Sequence, residues 1–150
     1  MKNENRAMEY LKMIGPIYHS KSKDEADVYR LEPYVVAADI YSIGNLAGRG
    51  GWSWYTGSAG WYYICYIKYI LGMNIKNGYL EMSPCVPKYW SEYSILYKFG
   101  SSIYNIKVKS EESSIKKKTF VNGILVDDDK VKLMDDGSVN DVEVIIRKVK

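Results

Sequence analysis

Near Asn74–Gly78 the hydrophobic pattern changes period, and this change limits the possible folds more than any other feature of the chain. Upstream, Ala7, Met8, Leu11 and Ile14 share one face of a helix that Gly15-Pro16 ends. Residues 20–31 read as a polar connection with one turn of helix. Tyr34 to Ile43 is apolar, carries the small residues Ala37 and Ala38, and is expected to form a tightly packed helix after Pro33. Ala59 to Leu71 is apolar almost all round, which predicts a helix buried on most sides and stopped by Gly72. Downstream the period is two. Tyr79–Met82, Tyr93–Phe99, Ile103–Val108, Lys118–Val121, Ile124–Val126, Lys130–Met134 and Val142–Val149 read as strands. Gly100-Ser101-Ser102, Asn122-Gly123 and Asp135-Asp136-Gly137 mark turns between them. Helices followed by strands, unmixed, predict an α+β chain with helices in 1–76 and strands in 77–150, not a wound α/β sheet.

Composition excludes several classes of function. With 150 residues, 47% hydrophobic, the chain can bury a core. Its net charge of +3 is spread almost evenly over both halves, so it lacks the basic excess of a nucleic-acid binder. Two cysteines are too few for a disulfide framework, and one histidine cannot build a His-based metal site. No metal and no cofactor are expected. The polar start MKNENRAMEY does not look like a signal peptide, and Trp61–Gly72 is too short to span a bilayer. A cytoplasmic, reducing location is the simplest expectation. There are 15 Tyr and 4 Trp against 2 Phe, a set of flat faces with polar tips that suits sugars, although codon bias also explains the tyrosines.

One segment could carry chemistry. Residues 44–61, GNLAGRGGWSWYTGSAGW, hold six of the 12 glycines and three of the four tryptophans. They lead into the third expected helix, whose N-terminal N–H groups attract anions. Thr56 offers a hydroxyl, Gly57 an open N–H and Ser58 a helix cap, and Arg49 a positive charge. The same residues fit a glycine-rich turn with an ordinary cap. Glu32, before Pro33, and Asp39, inside an apolar stretch, fit either sugar binding and acid–base work or a structural partnership with Arg49, Arg30 or a backbone N–H. His19, Cys65 and Cys85 read as structural. Asp127-Asp128-Asp129 and Lys116-Lys117-Lys118 read as solvated turns.

Five segments together, GPIYHS, YRLEPYVVAADIYS, GRGGWSWYTGSAGW, YILGMNIKNGYLEMSPCVPKYW and YSILYKFGSSIYNIKV, resemble the C-terminal part of glycoside hydrolase family 94. The resemblance covers roughly residues 10–110 in consistent order, and GRGGWSWYTGSAGW is most similar to the cyclic β-1,2-glucan synthase branch. It implies the last helices of an (α/α)6 barrel followed by a jelly-roll-like antiparallel β-sandwich. It also implies inverting phosphorolysis of β-glucosides to an α-sugar 1-phosphate, with inorganic phosphate as co-substrate. Thr56 and Gly57 match the family's W-x-T-G phosphate motif, with Ser58 beside them. Glu32, Asp39, Arg49, Trp52 and Trp54 become sugar-site candidates.

The chain departs from the family in four places. The family's general acid, the Asp of a D-W-N-D-G motif, is absent, as is its N-H-x-N-G-W motif. Ala37-Ala38-Asp39 stands where disaccharide phosphorylases carry Gln, and Leu46-Ala47 where glucan-synthase relatives carry His. The chain is therefore expected to be a piece of such an enzyme, inactive alone, partnered by β-glucan or disaccharide, by phosphate, and by the missing barrel helices or a second copy of itself. The alternatives are a non-catalytic carbohydrate-binding or interaction module on the same fold, or a hydrolase on the same barrel type.

Overall fold

The fold is described from a computed structural model, covering residues 4–54, 56–112 and 117–147. The described residues contain three α-helices followed by eight strands, and the chain divides between Ile67 and Lys68 into two compact units.

In the first unit, α1 (Glu4–Ile14) buries Met8 and Leu11, the face its spacing predicts, while Ile14 is exposed. α2 (Lys23–Tyr29) is a short helix with a clear start and stop. The Ser22 hydroxyl accepts the Glu25 N–H at 3.2 Å, and the Glu25 carboxylate reaches back to the Lys21 N–H at 2.9 Å. Arg30, at φ 56°, ends it. α3 (Thr56–Ile64) continues through a wider π-helical turn, Cys65–Ile70, and Gly72 at φ 74° halts the run. The helix thus starts three residues before the expected Ala59, and Ser58 lies inside it rather than at its cap. Trp61, Tyr63 and Ile64 are exposed, against the expectation of burial on most sides. The Tyr62 hydroxyl, which donates to the Leu11 carbonyl at 3.3 Å, joins α3 to α1.

The helix expected over Tyr34–Ile43 does not form. Ala38 donates to the Trp52 carbonyl at 2.8 Å, Gly51 to the Asp39 carbonyl at 2.9 Å and Tyr41 to the Arg49 carbonyl at 2.9 Å. These bonds make an irregular antiparallel ribbon, with Ile40 facing Gly50 across it and a short 3₁₀ turn, Gly44–Leu46, near its tip. Main-chain partners 8 to 14 residues away satisfy the groups that a helix would have paired locally.

In the second unit, β1 (Met73–Lys76), β2 (Tyr79–Met82) and β7 (Lys130–Lys132) form a three-stranded antiparallel sheet in the order β1-β2-β7. Asn77 and Gly78, at φ 52° and 75°, make the two-residue turn that lets β1 fold back onto β2. β3 (Glu92–Phe99), β4 (Ser102–Glu111), β5 (Lys117–Val121), β6 (Ile124–Leu125) and β8 (Val139–Arg147) form a five-stranded sheet in the order β3-β4-β8-β5-β6. Strand alternation sets the core: Leu80 and Met82, Tyr104, Ile106 and Val108, and Val142 and Val144 are buried at every second position. The Lys117 ammonium on β5 donates to the Met82 carbonyl on β2 at 2.9 Å, tying the two sheets together.

The five-stranded sheet is mixed, which corrects the expected purely antiparallel arrangement. β8 runs parallel to β4, in register from Ile103↔Val139 to Glu111↔Arg147. Apolar alternation fixes which face is buried but not which way a strand runs. The excursion through β5, β6 and β7 supplies the crossover that a parallel pair requires, with β7 placed in the other sheet. Among the described residues, no helix is long and apolar enough to cross a membrane.

Candidate functional site

The glycine-rich segment is one arm of the ribbon, and the sequence explains its path. Gly50 is buried, its N–H bonded to the Tyr29 carbonyl at 2.9 Å. A β-carbon there would lie 2.4 Å from the Leu31 side chain. At Gly51 a β-carbon would lie 1.9 Å from a carboxylate oxygen of Asp39, so only glycine lets that carboxylate lie over the backbone. Tyr29 anchors this corner. It is wholly buried, stacks on His19 at a ring separation of 5.3 Å, and donates its hydroxyl to the Val35 carbonyl at 3.2 Å. Burial, with a further push from the Glu32 charge, raises its phenol above the ordinary tyrosine value.

Trp52 and Trp54 emerge from the ribbon, each 68% exposed. Trp54 has φ 63°, in the left-handed region. For a bulky side chain this conformation costs on the order of 1–3 kcal/mol, and it persists only where the surroundings hold it. The Trp54 indole N–H donates to a Glu32 carboxylate oxygen at 3.0 Å. Two residues later α3 begins at Thr56. Gly57 is exposed, and a β-carbon there would meet nothing within 4 Å, so its backbone is open to an incoming group. Ser58 is half-buried in the first turn. The Thr56 side chain lies outside the described residues.

The structure thus joins Glu32 to Trp54 and places Asp39 against Gly51. Among the described residues, no ion pair links Glu32 or Asp39 to Arg30 or Arg49, so the arginines that the structural alternative offered as partners do not pair with them. Arg49 is exposed on the ribbon arm. Sequence reasoning missed the supporting parts: Tyr29 beneath Gly50, the space that Gly51 leaves for Asp39, and the strained Trp54. The Gly50-Gly51 pair was the available signal of a close approach.

Outside this region, Asp129 accepts from the Thr119 hydroxyl at 3.0 Å and faces the Lys117 ammonium at 3.5 Å. The acidic triplet is therefore part of a paired turn. Among the described residues, no group of three or more His, Cys, Asp or Glu is placed to hold a metal ion.

Residues 1–72 match the family described as the Glycosyl hydrolase 94 superfamily, catalytic domain. The chain belongs to that family. The matched stretch contains both the ribbon and the start of α3. The chain is 44% identical over 108 residues to the cyclic beta-(1,2)-glucan synthase NdvB of Rhizobium meliloti (strain 1021), covering 72% of this chain and 4% of that protein. It is 30% identical over 145 residues to the N,N'-diacetylchitobiose phosphorylase of Vibrio furnissii, covering 95% of this chain and 18% of that protein. It is 26% identical over 142 residues to the solabiose phosphorylase of Paenibacillus borealis, covering 93% of this chain and 18% of that protein. The chain therefore spans a small part of the length of each of these relatives.

Proposed function

We propose that this chain contributes part of the sugar and phosphate site of an inverting glycoside phosphorylase acting on β-glucosides, the general acid lying on another segment. The observation that carries this reading is the glycine-rich ribbon, which presents Trp52 and Trp54 to solvent immediately before the open helix start at Thr56-Gly57-Ser58. Tryptophan faces suit the C–H face of a sugar, and helix-start N–H groups suit an oxyanion. The names of the related phosphorylases support the reaction class. An inverting glycosidase needs one carboxyl as acid and another to activate water. Phosphate is already an anionic nucleophile, so a phosphorylase needs the acid and an anion site. Glu32, Asp39 and Arg49 lie on the same ribbon and the irregular segment leading into it, where they would line or support the sugar pocket.

The helical part of residues 1–76 is assigned to the closing helices of an (α/α)6 barrel, and the sheets within 77–150 to a jelly-roll-like C-terminal domain. Supporting the barrel assignment, α1 exposes Tyr10, Met13 and Ile14, and α3 exposes Trp61, Tyr63 and Ile64. Apolar groups in that number call for a covering partner. Further helices of the barrel are that partner, and a second copy of the chain is the competing one.

The test measures phosphate release from glucose 1-phosphate plus a sugar acceptor. It is run with the chain alone and with a polypeptide that supplies the D-W-N-D-G segment. Turnover in the pair only is the expected result. Without a general acid, the rate falls by a typical factor of ~10²–10⁴. Turnover by the chain alone overturns the placement of the acid elsewhere. The exposed tryptophans also fit a second reading, a non-catalytic carbohydrate-binding module. Glucan binding indifferent to phosphate, with no turnover in the pair, decides for it.

A further inference from the structure

We propose that Glu32 is a positioning residue. By accepting the Trp54 indole N–H, its carboxylate holds the Trp54 backbone left-handed and so fixes the direction in which α3 begins. The importance of this grip for anion binding rests on the phosphate reading above; the grip itself rests on geometry alone.

The end of α2 and the residues after it run beside the ribbon and meet it at two points. At the first, the Tyr29 carbonyl accepts the Gly50 N–H at 2.9 Å. At the second, Glu32 accepts from Trp54 at 3.0 Å. Main-chain bonds fix the ribbon as far as Trp52, whose carbonyl accepts from Ala38 at 2.8 Å. Trp54 lies two residues beyond that bond, and at φ 63° it is in a conformation that a tryptophan leaves unless held. A hydrogen bond to a carboxylate is charge-assisted and stronger than one between neutral groups. Once released, Trp54 returns to the extended region. The chain then leaves Trp54 in another direction, and the first N–H groups of α3 no longer point where they did.

The experiment uses the full chain, labelled with nitrogen-15, with inorganic phosphate as the probe. Two signals are followed: the Trp54 indole N–H, assigned by its loss in Trp54→Phe, and the Gly57 and Ser58 amides during phosphate titration. In Glu32→Ala the indole signal is expected to move and to exchange faster with water, and phosphate affinity to fall by about tenfold, the scale of one charge-assisted bond. Glu32→Gln keeps an acceptor oxygen, so its affinity stays within about threefold of the parent. In the double variant Glu32→Ala/Trp54→Gly, affinity is expected to return, because glycine adopts φ near 60° without being held.

A structural effect of losing the carboxylate would not be repaired by that second change. An unmoved indole signal in Glu32→Ala overturns the proposal. So does a loss of affinity that Trp54→Gly leaves unrepaired, since the carboxylate would then act on the anion by another route. If phosphate leaves Gly57 and Ser58 unmoved in the parent chain, the phosphate reading falls, and the indole signal alone decides the grip.

Discussion

In the sheet unit Leu80 and Val144 are wholly buried, and strand positions alternate between inside and outside. In the helical unit Trp52, Trp54, Trp61 and Tyr63 stand 66–68% exposed. Both units are rich in apolar residues, yet only the sheet unit buries more of its large ones than it exposes. Two sheets can close a core between themselves, because each strand sends alternate side chains to the same face. Three helices and a ribbon have fewer ways to cover one another. The helical unit also uses buried positions for another purpose. Tyr29, Gly50 and the ground beneath Asp39 support a surface rather than fill an interior.

That contrast is open to direct attack. The largest effect is expected from Leu80→Ala in β2, which empties a fully buried position and costs roughly 2–5 kcal/mol. Trp61→Ala removes more apolar surface from α3, where the side chain is 66% exposed, and is expected to change stability by less than about 0.5 kcal/mol. Urea unfolding of the two variants checks the pair. A large loss from Trp61→Ala in the chain alone would mean that the helical unit packs this ring after all. The same substitution in a complex with the further helices proposed above is expected to weaken that complex.

Gly72→Ala comes next. A β-carbon there would lie 2.2 Å from the Ser83 main chain, and φ is 74°. Neither the backbone opposite nor the left-handed conformation yields cheaply, so a loss of roughly 2–3 kcal/mol is expected in thermal unfolding. Gly57→Ala, with open space around it, is expected to alter stability little. The two glycines thus separate a packing requirement from a position with open space around it.

How legible this was depended on the range of the interactions. The β2, β3 and β4 strands and their turns are local patterns, and Tyr79–Met82 and the hairpin around Gly100 could be read directly. α1 was readable for the same reason, as Met8 and Leu11 fall on one face. The strand β1 was hidden in the segment read as a change of character, where Asn77-Gly78 was the turn signal. The parallel course of β8 was not legible, because it depends on where β7 crosses to the other sheet. Tyr34–Ile43 misled for a related reason: its hydrogen-bond partners lie in the glycine-rich arm. That arm was visible as unusual, but its pairing with Ala38–Tyr41 is a tertiary fact. Of the candidate site, the residue types were legible and the Glu32–Trp54 bond was not.

A smaller effect probes the helical unit's own local order. Ser22→Ala removes the acceptor for the Glu25 N–H at the start of α2, and a cap of this kind contributes about 1 kcal/mol. The loss is expected in the unfolding of the helical unit, read by circular dichroism, and Ser22→Asp is expected to retain most of the stability. If the two units unfold separately, only the earlier or later transition moves, which identifies it. If one transition carries both signals, the contrast between the units is one of packing and not of folding autonomy.

The smallest effect is expected from acid, in the sheet unit. Asp135 accepts from the Ser101 hydroxyl and main-chain N–H, each at 2.6 Å. Asp136 accepts from the Ser138 hydroxyl and N–H and from the buried Ser102 hydroxyl. These hydrogen bonds hold both carboxyls below the ordinary aspartate value of 3.8. A carboxyl whose folded value is depressed adds stability that is fully present above its unfolded value and disappears as pH falls through the folded one. The turn is therefore expected to be insensitive between pH 5 and 8 and to weaken below about pH 4. Urea midpoints measured from pH 6 down to pH 2 check this, with Asp136→Asn expected to flatten the acid side of the curve. The groups are solvent-exposed, so added salt is expected to change the hydrogen-bonded component less than any contribution from long-range charge. A slope unchanged in Asp136→Asn would assign the acid sensitivity to other carboxylates. The turn leading from β7 into β8 would then be held by the Asp135–Ser101 bonds and by Ser102, whose hydroxyl also accepts the Asp136 and Gly137 N–H groups at 3.0 and 3.1 Å.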